Sequence, residues 1–204
     1  MLIDQNIEKG YLQKIVSKIR EFPTTERRYS LDRLWSQRNR QNSAPLLLDI
    51  KGPQGQKLGI GLRDVREYLG KNHYIVGVFN LNGEQPTPIA YLATTRNDHQ
   101  NTLYSKTTDS RYMTELKNDK VFSPLLKLMT SGRTIEVDWE YQRAGLGSQM
   151  ILAMLDIGKK VNAPGLLFAD VSGELSRLCA NLSEKNLVSL TKEDRSGNLY
   201  LRKK

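Results

Sequence analysis

The segment from Gln142 to Ser148 is the part of the chain best suited to binding a ligand. It contains Gly145 and Gly147, and it lies between an apolar run typical of a strand and an amphipathic run typical of a helix. Glycine tolerates positive φ and close backbone approach. The first amides of a helix lack intrahelical acceptors and carry partial positive charge, so they suit phosphate groups. We therefore expect this turn to bind a pyrophosphate.

Two other phosphate motifs do not fit the same segment. A Walker A loop requires Gly-Lys followed by Ser or Thr, whereas Gly147 is followed by Ser148 and Gln149. A dinucleotide fingerprint requires a third glycine three residues after Gly147, where this chain has Met150. ATP binding of the Walker type and Rossmann-type dinucleotide binding are thus excluded at this turn.

A second Gly-x-Gly occurs at Gly59-Ile60-Gly61, ahead of the stretch Arg63–Leu69. It lacks the glutamine, the preceding strand and the strand–helix order of the first. We expect an ordinary turn there, followed by a helix over Arg63–Leu69.

The turn at Gln142–Ser148 resembles the coenzyme A loop of the GNAT acyltransferase superfamily. That family carries Gln/Arg-x-x-Gly-x-Gly/Ala between its fourth strand and third helix, and Gln142-x-x-Gly145-x-Gly147 matches this pattern. The preceding Ile135-x-Val137-Asp138 and the following amphipathic helix also match. The resemblance covers about residues 132–190, extends more weakly over 73–95, and does not reach 1–70.

The resemblance implies a fold class of mixed α/β type, with a central mixed sheet flanked by helices. It places a GNAT-like core in residues 71–204, and we expect residues 1–70, which the resemblance does not reach, to form a helical N-terminal extension or subdomain packed on that core. It implies an acyl-CoA co-substrate, with acetyl-CoA as the default donor, and the amide next to Val137 facing the thioester carbonyl. The residues implied to contact coenzyme A are Val137, Gln142, Arg143, Ala144, Gly145, Leu146, Gly147 and Ser148.

Acyl transfer from a thioester to an amine requires that the amine be neutral and that a hydrogen-bond donor stabilise the tetrahedral oxyanion. The reaction is also helped by an acid that protonates the leaving thiolate. Three carboxylates are candidate bases: Glu136, Asp138 and Asp170. Glu136 alternates with Ile135 and Val137 on its strand and would look toward the acceptor. Asp170 ends the next strand, beside the splay where the family places the pantetheine arm.

The acid for the leaving thiolate is less well specified. Many relatives place a tyrosine in a Leu-Tyr-Glu-Lys sequence, where this chain has Leu182-Ser183-Glu184-Lys185. Ser183 is a much weaker acid with a shorter reach. Tyr141, Tyr112 or a water could take its place, or transfer could proceed without an acid. Cys179, on the same helix, is expected to be a small buried residue.

Hydrophobic periodicity and turn residues predict the elements that would position these groups. Helices are predicted over 5–22, 31–40 with Ser30 as N-cap, 112–130, 148–161 and 174–185. Strands are predicted over 46–50, 73–81, 89–95, 134–137, 166–171, 188–190 and 198–201. Asn82-Gly83 predicts a hairpin turn, and residues 96–111 a loop. Because strand, helix, strand and helix alternate over 132–185, the strands at 134–137 and 166–171 are expected to be parallel neighbours.

Composition limits the remaining function classes. The net charge of +9 favours an anionic partner without naming one. One cysteine and two distant histidines exclude a disulfide framework within the chain and a cysteine- or histidine-rich metal site. No apolar run reaches 18 residues, and the N-terminus lacks the pattern of a signal peptide. We expect the cytoplasm, of the producing cell or of a host.

Residues 27–40 form a basic stretch that also contains Tyr29 and Trp35. Its arginines are Arg27, Arg28, Arg33, Arg38 and Arg40. Basic residues mixed with aromatics suit nucleic acid, although a solvated helix is the simpler and favoured interpretation.

The sequence thus predicts an N-acyltransferase that moves an acyl group, by default acetyl, from coenzyme A to an amine. The acceptor could be a protein lysine or N-terminus, a small amine or a nucleic-acid-linked group, and the basic surface favours a macromolecule. The alternative is a GNAT-fold module without catalysis that binds nucleic acid or a protein, and Ser183 supports that alternative.

Overall fold

The computed structural model describes residues 28–66, 72–97, 99–105, 114–130, 133–169, 171–192 and 197–204. The predicted helix over 5–22, Arg27, Tyr112 and Asp170 lie outside these residues. The helices are α1 (Leu31–Gln37), α2 (Thr114–Lys117), α3 (Leu125–Met129), α4 (Leu146–Lys160) and α5 (Gly173–Glu184). The strands are β1 (Leu46–Lys51), β2 (Lys57–Arg66), β3 (Asn72–Asn80), β4 (Thr87–Asn97), β5 (Thr102–Ser105), β6 (Ile135–Val137), β7 (Gly165–Phe168), β8 (Val188–Lys192) and β9 (Leu199–Lys203).

The strands form a single mixed sheet with helices on both faces. The order is β1-β2-β3-β4-β5-β7-β9-β8, and β6 pairs with β4. β5 and β7 run parallel, whereas the other described pairs are antiparallel. The mixed α/β class and the sheet flanked by helices are confirmed.

Several predicted elements are confirmed with small shifts of their ends. α1 follows Ser30, whose extended backbone (φ −80°, ψ 118°) suits an N-cap although its side chain makes no capping bond. β3 and β4 pair as a hairpin around Asn82-Gly83, with Asn80 opposite Thr87. α4 starts at Leu146, two residues before the predicted start, because Gly145 already accepts the first helical bond from Gln149.

The edge of β4 is completed by two separate segments, and this corrects the predicted sheet order. β5 pairs with the end of β4 through Thr95, and β6 pairs with its middle through Tyr91. β7 pairs with β5 up to Phe168, opposite Ser105, so it is not the neighbour of β6. The parallel pairing predicted for 134–137 and 166–171 is therefore wrong, because β5, within the predicted loop 96–111, takes that position. No described pairing joins β6 to β7, and we name the space between their C-terminal ends the divergence.

The second Gly-x-Gly is part of a strand, which corrects both predictions made for that region. Gly59 and Gly61 lie in β2, opposite Phe79 and Gly77. A Cβ at Gly61 would lie 2.8 Å from Cζ of Phe122, so the glycine admits a ring between the sheet and the chain above it. The stretch predicted as the helix Arg63–Leu69 begins as strand through residue 66. The sheet thus includes residues on both sides of residue 70, where we proposed that the extension ends.

The predicted helix over 112–130 is two short helices in its described part. Asp119 separates α2 from α3, because its Oδ1 accepts the amides of Val121 at 2.9 Å and Phe122 at 3.0 Å. Its Oδ2 accepts Nε of Arg63 at 2.5 Å, and both side chains are almost fully buried. The guanidinium also stacks on Phe122, 4.1 Å from the ring centroid. A buried ion pair thus ties β2 to this segment.

The two faces of the sheet carry separate hydrophobic clusters. α1, α4 and α5 pack on one face, named here the α4 face, over residues such as Leu62, Leu92 and Phe168. The segment with α2 and α3 packs on the other, named the α3 face, over Ile75 and Tyr91. Among the described residues, no helix is long and apolar enough to cross a membrane.

Candidate functional site

The turn before α4 has the backbone geometry expected of a phosphate-binding turn. Gly145 adopts a left-handed conformation (φ 78°, ψ 4°) and is the N-cap of α4. The amide of Gln149 donates to the carbonyl of Gly145 at 3.1 Å and is the first amide of the helix with an intrahelical acceptor, so the amides of Leu146 to Ser148 have none. The helix start therefore offers three consecutive amides to a ligand.

The remaining residues of the turn lie at the surface. Gln142 and Arg143 are exposed, and Ala144 is half-buried. Arg143 has φ 68°, a left-handed conformation that side chains other than glycine adopt at a cost. The side chain of Leu146 is buried in the α4-face cluster and fixes the start of the helix. The structure brings the predicted coenzyme A residues together in one short surface segment.

Gly147 has a packing role that the sequence did not indicate. A Cβ at this position would lie 2.8 Å from Cδ2 of Leu178 in α5. The missing side chain lets α4 approach α5 closely, whether or not a ligand is bound at the turn.

β6 directs one backbone amide away from its neighbour in the sheet. Thr134 accepts from Ala93 at 2.9 Å, and Asp138 donates to Ile89 at 2.7 Å. Because hydrogen bonding alternates along an antiparallel pair, the amide of Val137 points away from β4. It faces the divergence between β6 and β7.

Two residues of the following turn have structural partners. Asp138 caps the single 3₁₀ turn Trp139–Tyr141 by accepting the amide of Glu140 at 3.4 Å. Tyr141 is buried, and its hydroxyl accepts Nδ2 of Asn80 at 3.0 Å. Tyr141 thus anchors the turn to the β3–β4 hairpin, which disfavours it as the acid for a leaving thiolate.

Of the two carboxylates that remain as candidate bases, the structure describes Glu136 but not Asp170. Glu136 is half-buried on the α3 face, opposite Tyr91 in the register, and alternates with Val137 as predicted. The Tyr91 hydroxyl donates to the carbonyl of Arg133 at 2.6 Å, and the tyrosine itself is fully buried in the α3-face cluster. Asp170 lies outside the described residues, two positions after Phe168.

The candidate acid, Ser183, is half-buried in the last turn of α5. It lies four residues after Cys179, which is fully buried. Burial raises the pKa of the Cys179 thiol to about 12, so this cysteine is neither a nucleophile nor a proton donor near neutral pH. The prediction that Cys179 is a small buried residue is confirmed.

The arginine stretch lies at the far end of α4 from the glycine turn. An ion pair at 3.1 Å joins Asp32 of α1 to Lys160, the last residue of α4. A helix of 15 residues is about 22 Å long. Arg38 stacks on Trp35 at 4.2 Å from the ring centroid and is half-buried. Arg33 and Arg40 are exposed, whereas Arg28 is half-buried.

Two further polar groups near the divergence were not predicted. Gln149 is 5% exposed, and its Oε1 has no hydrogen-bond partner among the described residues. The same holds for Oγ of Ser105, which is 1% exposed where the pairing of β5 with β7 stops. For Gln149, the only indication in the sequence is that a polar glutamine stands one turn into a helix predicted to be largely apolar. Ser105 offers none, since its strand was not predicted.

No protein-family model matches the chain, and no curated protein sequence matches it. Among solved structures, it is similar to an acetyltransferase of the GNAT family from Staphylococcus aureus Mu50. The two share 13% identity over 67% of this chain and 71% of the other, with a TM-score of 0.40. A likeness of this degree assigns no activity to the chain.

Proposed function

We propose that this protein binds acyl-CoA at the turn Gln142–Ser148 and transfers the acyl group, by default acetyl, to an amine. The observation that carries the proposal is the continuity of β6, the turn and α4. Over this short path the Val137 amide points into the divergence, and the free amides from Leu146 to Ser148 begin the helix. One ligand with a thioester and a pyrophosphate would use both.

The unpartnered polar atoms suit the arm that links these two groups. Within the described part of the chain, Oε1 of Gln149 is a buried acceptor without a donor, and the Ser105 hydroxyl is buried without a partner. A buried polar atom without a partner costs free energy. A pantetheine arm supplies two amide N–H donors and two carbonyl acceptors, which fits this pair of groups.

The chemistry then follows from the backbone. The amine attacks the thioester carbon, a C–N bond forms, and the tetrahedral oxyanion accepts the Val137 amide. The C–S bond breaks as the thiolate leaves, and the amine loses its proton to a base. Glu136 and Asp170 are the proposed bases, and Ser183 occupies the position of the proposed acid.

Binding is tested by calorimetric titration with acetyl-CoA. Gly145→Glu strains the left-handed turn and adds a charge against the pyrophosphate, so we expect a loss of affinity of at least about 100-fold, or roughly 2.7 kcal/mol. Gly55→Glu is the matched control, because Gly55 also has positive φ (80°) but lies in an exposed turn with open space around it. Equal affinity of both variants and the wild type would exclude this site.

Catalysis is tested separately, by turnover of acetyl-CoA with a panel of amines. Glu136→Gln or Asp170→Asn, or both, should lower kcat/KM by about 100-fold or more, the usual scale of a general base. Full rates for both variants across pH 6–9, with an active wild type, would remove these residues as bases. Ser183→Ala measures whether the serine hydroxyl contributes.

A second candidate function is a GNAT-fold binding module without catalysis. It is favoured by Ser183 at the usual tyrosine position and by the engagement of Tyr141 with Asn80. Calorimetric binding of acetyl-CoA with no turnover of any acceptor would support this candidate.

A further inference from the structure

The hairpin between β3 and β4 contains the one Asn-Gly pair in the chain, Asn82-Gly83. Both residues are exposed, as are Glu84 and Gln85 after them. Asparagine is chemically labile, and a following glycine has no side chain to shield its backbone nitrogen from the asparagine side chain. The side-chain amide of Asn82 is therefore open to attack by the backbone nitrogen of the next residue.

The structure also polarises the side-chain amide of Asn82. Its Oδ1 accepts the backbone N–H of Lys57, the first residue of β2, at 2.8 Å. When a nucleophile attacks Cγ, negative charge collects on this oxygen, and a positioned N–H donor stabilises that charge. The Lys57 amide thus lies where an enzyme would place the donor of an oxyanion hole.

We propose that Asn82 is a site of spontaneous deamidation in the folded protein, promoted by the Lys57 amide. The deprotonated nitrogen of Gly83 attacks Cγ, an N–C bond forms, and the Cγ–Nδ2 bond breaks as ammonia leaves with the proton that Gly83 lost. The resulting succinimide takes up one water at either ring carbonyl. The products are aspartate, or isoaspartate, in which the main chain runs through the side-chain carbonyl and gains one methylene. The reaction needs water alone and is independent of acyl transfer.

A series of hydrogen bonds connects this residue to the turn after β6. The amide of Asn82 donates to Oδ1 of Asn80 at 3.0 Å, and Nδ2 of Asn80 donates to the hydroxyl of Tyr141 at 3.0 Å. Tyr141 is buried and ends the 3₁₀ turn Trp139–Tyr141, directly before Gln142. A change in the backbone at residue 82 therefore reaches the segment that leads into the glycine turn.

The two products differ in their effect on these bonds. Aspartate keeps an oxygen for the Lys57 amide, and Asp-Gly suits a hairpin turn as Asn-Gly does. Isoaspartate lengthens the main chain between Asn80 and Thr87, which are paired across the hairpin. One extra atom in so short a connection shifts the Asn82 amide from Asn80, so we expect only isoaspartate to loosen the anchor of Tyr141.

Deamidation is measured by site-resolved mass spectrometry, as the replacement of one side-chain –NH2 by –OH. Asn101 is the internal control, because it is also exposed but precedes Thr102, whose branched side chain crowds the backbone nitrogen. In one incubated sample, Asn82 should be half converted while Asn101 stays an amide. The rate should rise with pH, because the attacking nitrogen must first lose its proton.

Two variants test the two parts of the site, and thermal melting checks that each is folded. Gly83→Ala fits the turn, since the nearest neighbour of its Cβ would be 3.5 Å away, and no deamidation should be detected in the time that half of the wild type reacts. Lys57→Pro removes the N–H donor at the start of a strand, a position that tolerates proline. It should slow the reaction about tenfold, less than the roughly 100-fold of an enzyme's oxyanion donor, because Asn82 is in contact with water. Lys57→Arg keeps the N–H and should match the wild type.

Hydrogen exchange read by mass spectrometry tests the coupling to the turn. The amides of Tyr141 and Gln142 donate to the carbonyls of Asp138 at 2.9 Å and Trp139 at 3.3 Å, so loss of the anchor should speed their exchange. The isoaspartate form, separated by chromatography, should exchange there as fast as Tyr141→Phe, which lacks only the hydroxyl. Asn82→Asp should exchange like the fresh wild type.

Three results would contradict the proposal. Conversion of Asn82 no faster than that of Asn101, or equally fast in Gly83→Ala, would overturn the modification site. An unchanged rate in folded Lys57→Pro would overturn the part assigned to the Lys57 amide. Equal exchange over residues 139–142 in the isoaspartate form and in Asn82→Asp would show that the hairpin does not hold the turn.

Discussion

The chain contains the same glycine spacing twice, and the two copies do different things. In Gly59-Ile60-Gly61 both glycines lie inside β2, which pairs with β1 on one side and with β3 on the other. Their missing side chains make room for packing: a Cβ at Gly61 would collide with the Phe122 ring. In Gly145-Leu146-Gly147 the first glycine has φ 78° and starts a helix, so the amides that follow are free. The element on each side decides whether Gly-x-Gly provides space or hydrogen-bond donors.

We expect the copy in β2 to matter more for the free energy of unfolding than the copy before α4. The largest expected loss of stability is at the ion pair between Arg63 and Asp119, close to Gly61. Asp119→Ala leaves the buried Arg63 guanidinium, two residues after Gly61, without its carboxylate. Removing one partner of a buried ion pair costs about 3–5 kcal/mol, to be measured by urea unfolding. Asp32→Ala, which breaks an exposed pair with Lys160, should change little. Similar losses for both would mean that the Arg63 pair does not anchor β2.

The same pair gives the unfolding free energy a pH dependence. Burial raises the pKa of Asp119, but the hydrogen bond from Arg63 and the amides of Phe122 and Val121 lower it more, and the pKa lies below its ordinary 3.8. The stabilisation is complete above the unfolded-state pKa and is lost as pH falls through the lower folded-state value. Acid titration of the wild type below pH 4 should show this component, and Asp119→Ala should lack it.

Gly61→Val tests the packing role directly. Its side chain overlaps Phe122, and overpacking of a core typically costs about 1–3 kcal/mol. Affinity for acetyl-CoA, measured where the variant is folded, should not change. Gly83→Ala is the control, because its nearest neighbour atom would be 3.5 Å from the new Cβ. If Gly61→Val weakened coenzyme A binding without unfolding the protein, the separation of roles would be wrong.

Gly147 combines both roles, and a double-mutant cycle separates them. Alanine is favoured over glycine in a helix by about 1 kcal/mol, but its Cβ would meet Leu178. Gly147→Ala alone should therefore change the unfolding free energy little. In a Leu178→Ala background the same substitution should stabilise by about 1 kcal/mol. An equal effect in both backgrounds would show that Leu178 does not restrict this position.

The smallest effect concerns Arg143, with φ 68°. Arg143→Gly relieves a left-handed strain of about 1–2 kcal/mol and adds the flexibility cost of glycine, leaving a stabilisation of about 0.5 kcal/mol. Asn162→Gly, at φ 57°, should gain less, because asparagine tolerates this conformation. A loss of acetyl-CoA affinity in Arg143→Gly with a gain in stability would show that the strain is retained for binding.

The sequence was sufficient to predict those elements whose residue pattern lies within one short stretch of the chain. The hairpin at Asn82-Gly83, the strand ending at Val137 and the helix after Gly145 all follow from turn residues and periodicity within about 15 residues. The strand and the helix flank the glycine turn, so the position of the turn could be predicted although its ligand could not.

The elements that were predicted wrongly depend on contacts with residues far away in the sequence. β5 lies in a polar stretch, and its strand conformation depends on pairing with both β4 and β7. The sequence of β2 predicted a turn and a helix because the reasons for Gly61 and Arg63 are Phe122 and Asp119, which lie more than 50 positions later in the chain. β-Structure depends on such context more than helix does.

Chemical labelling of the buried Cys179 can report on local unfolding around α5 in the unmodified protein. The thiolate is the reactive form, and burial raises the pKa of the Cys179 thiol to about 12, so the folded protein keeps the thiol protonated near neutral pH. Alkylation must therefore await a fluctuation that exposes α5 to the reagent. Labelling rates would measure the free energy of that fluctuation in the unmodified protein. A second cysteine introduced at an exposed site could carry a fluorophore without competition from the first.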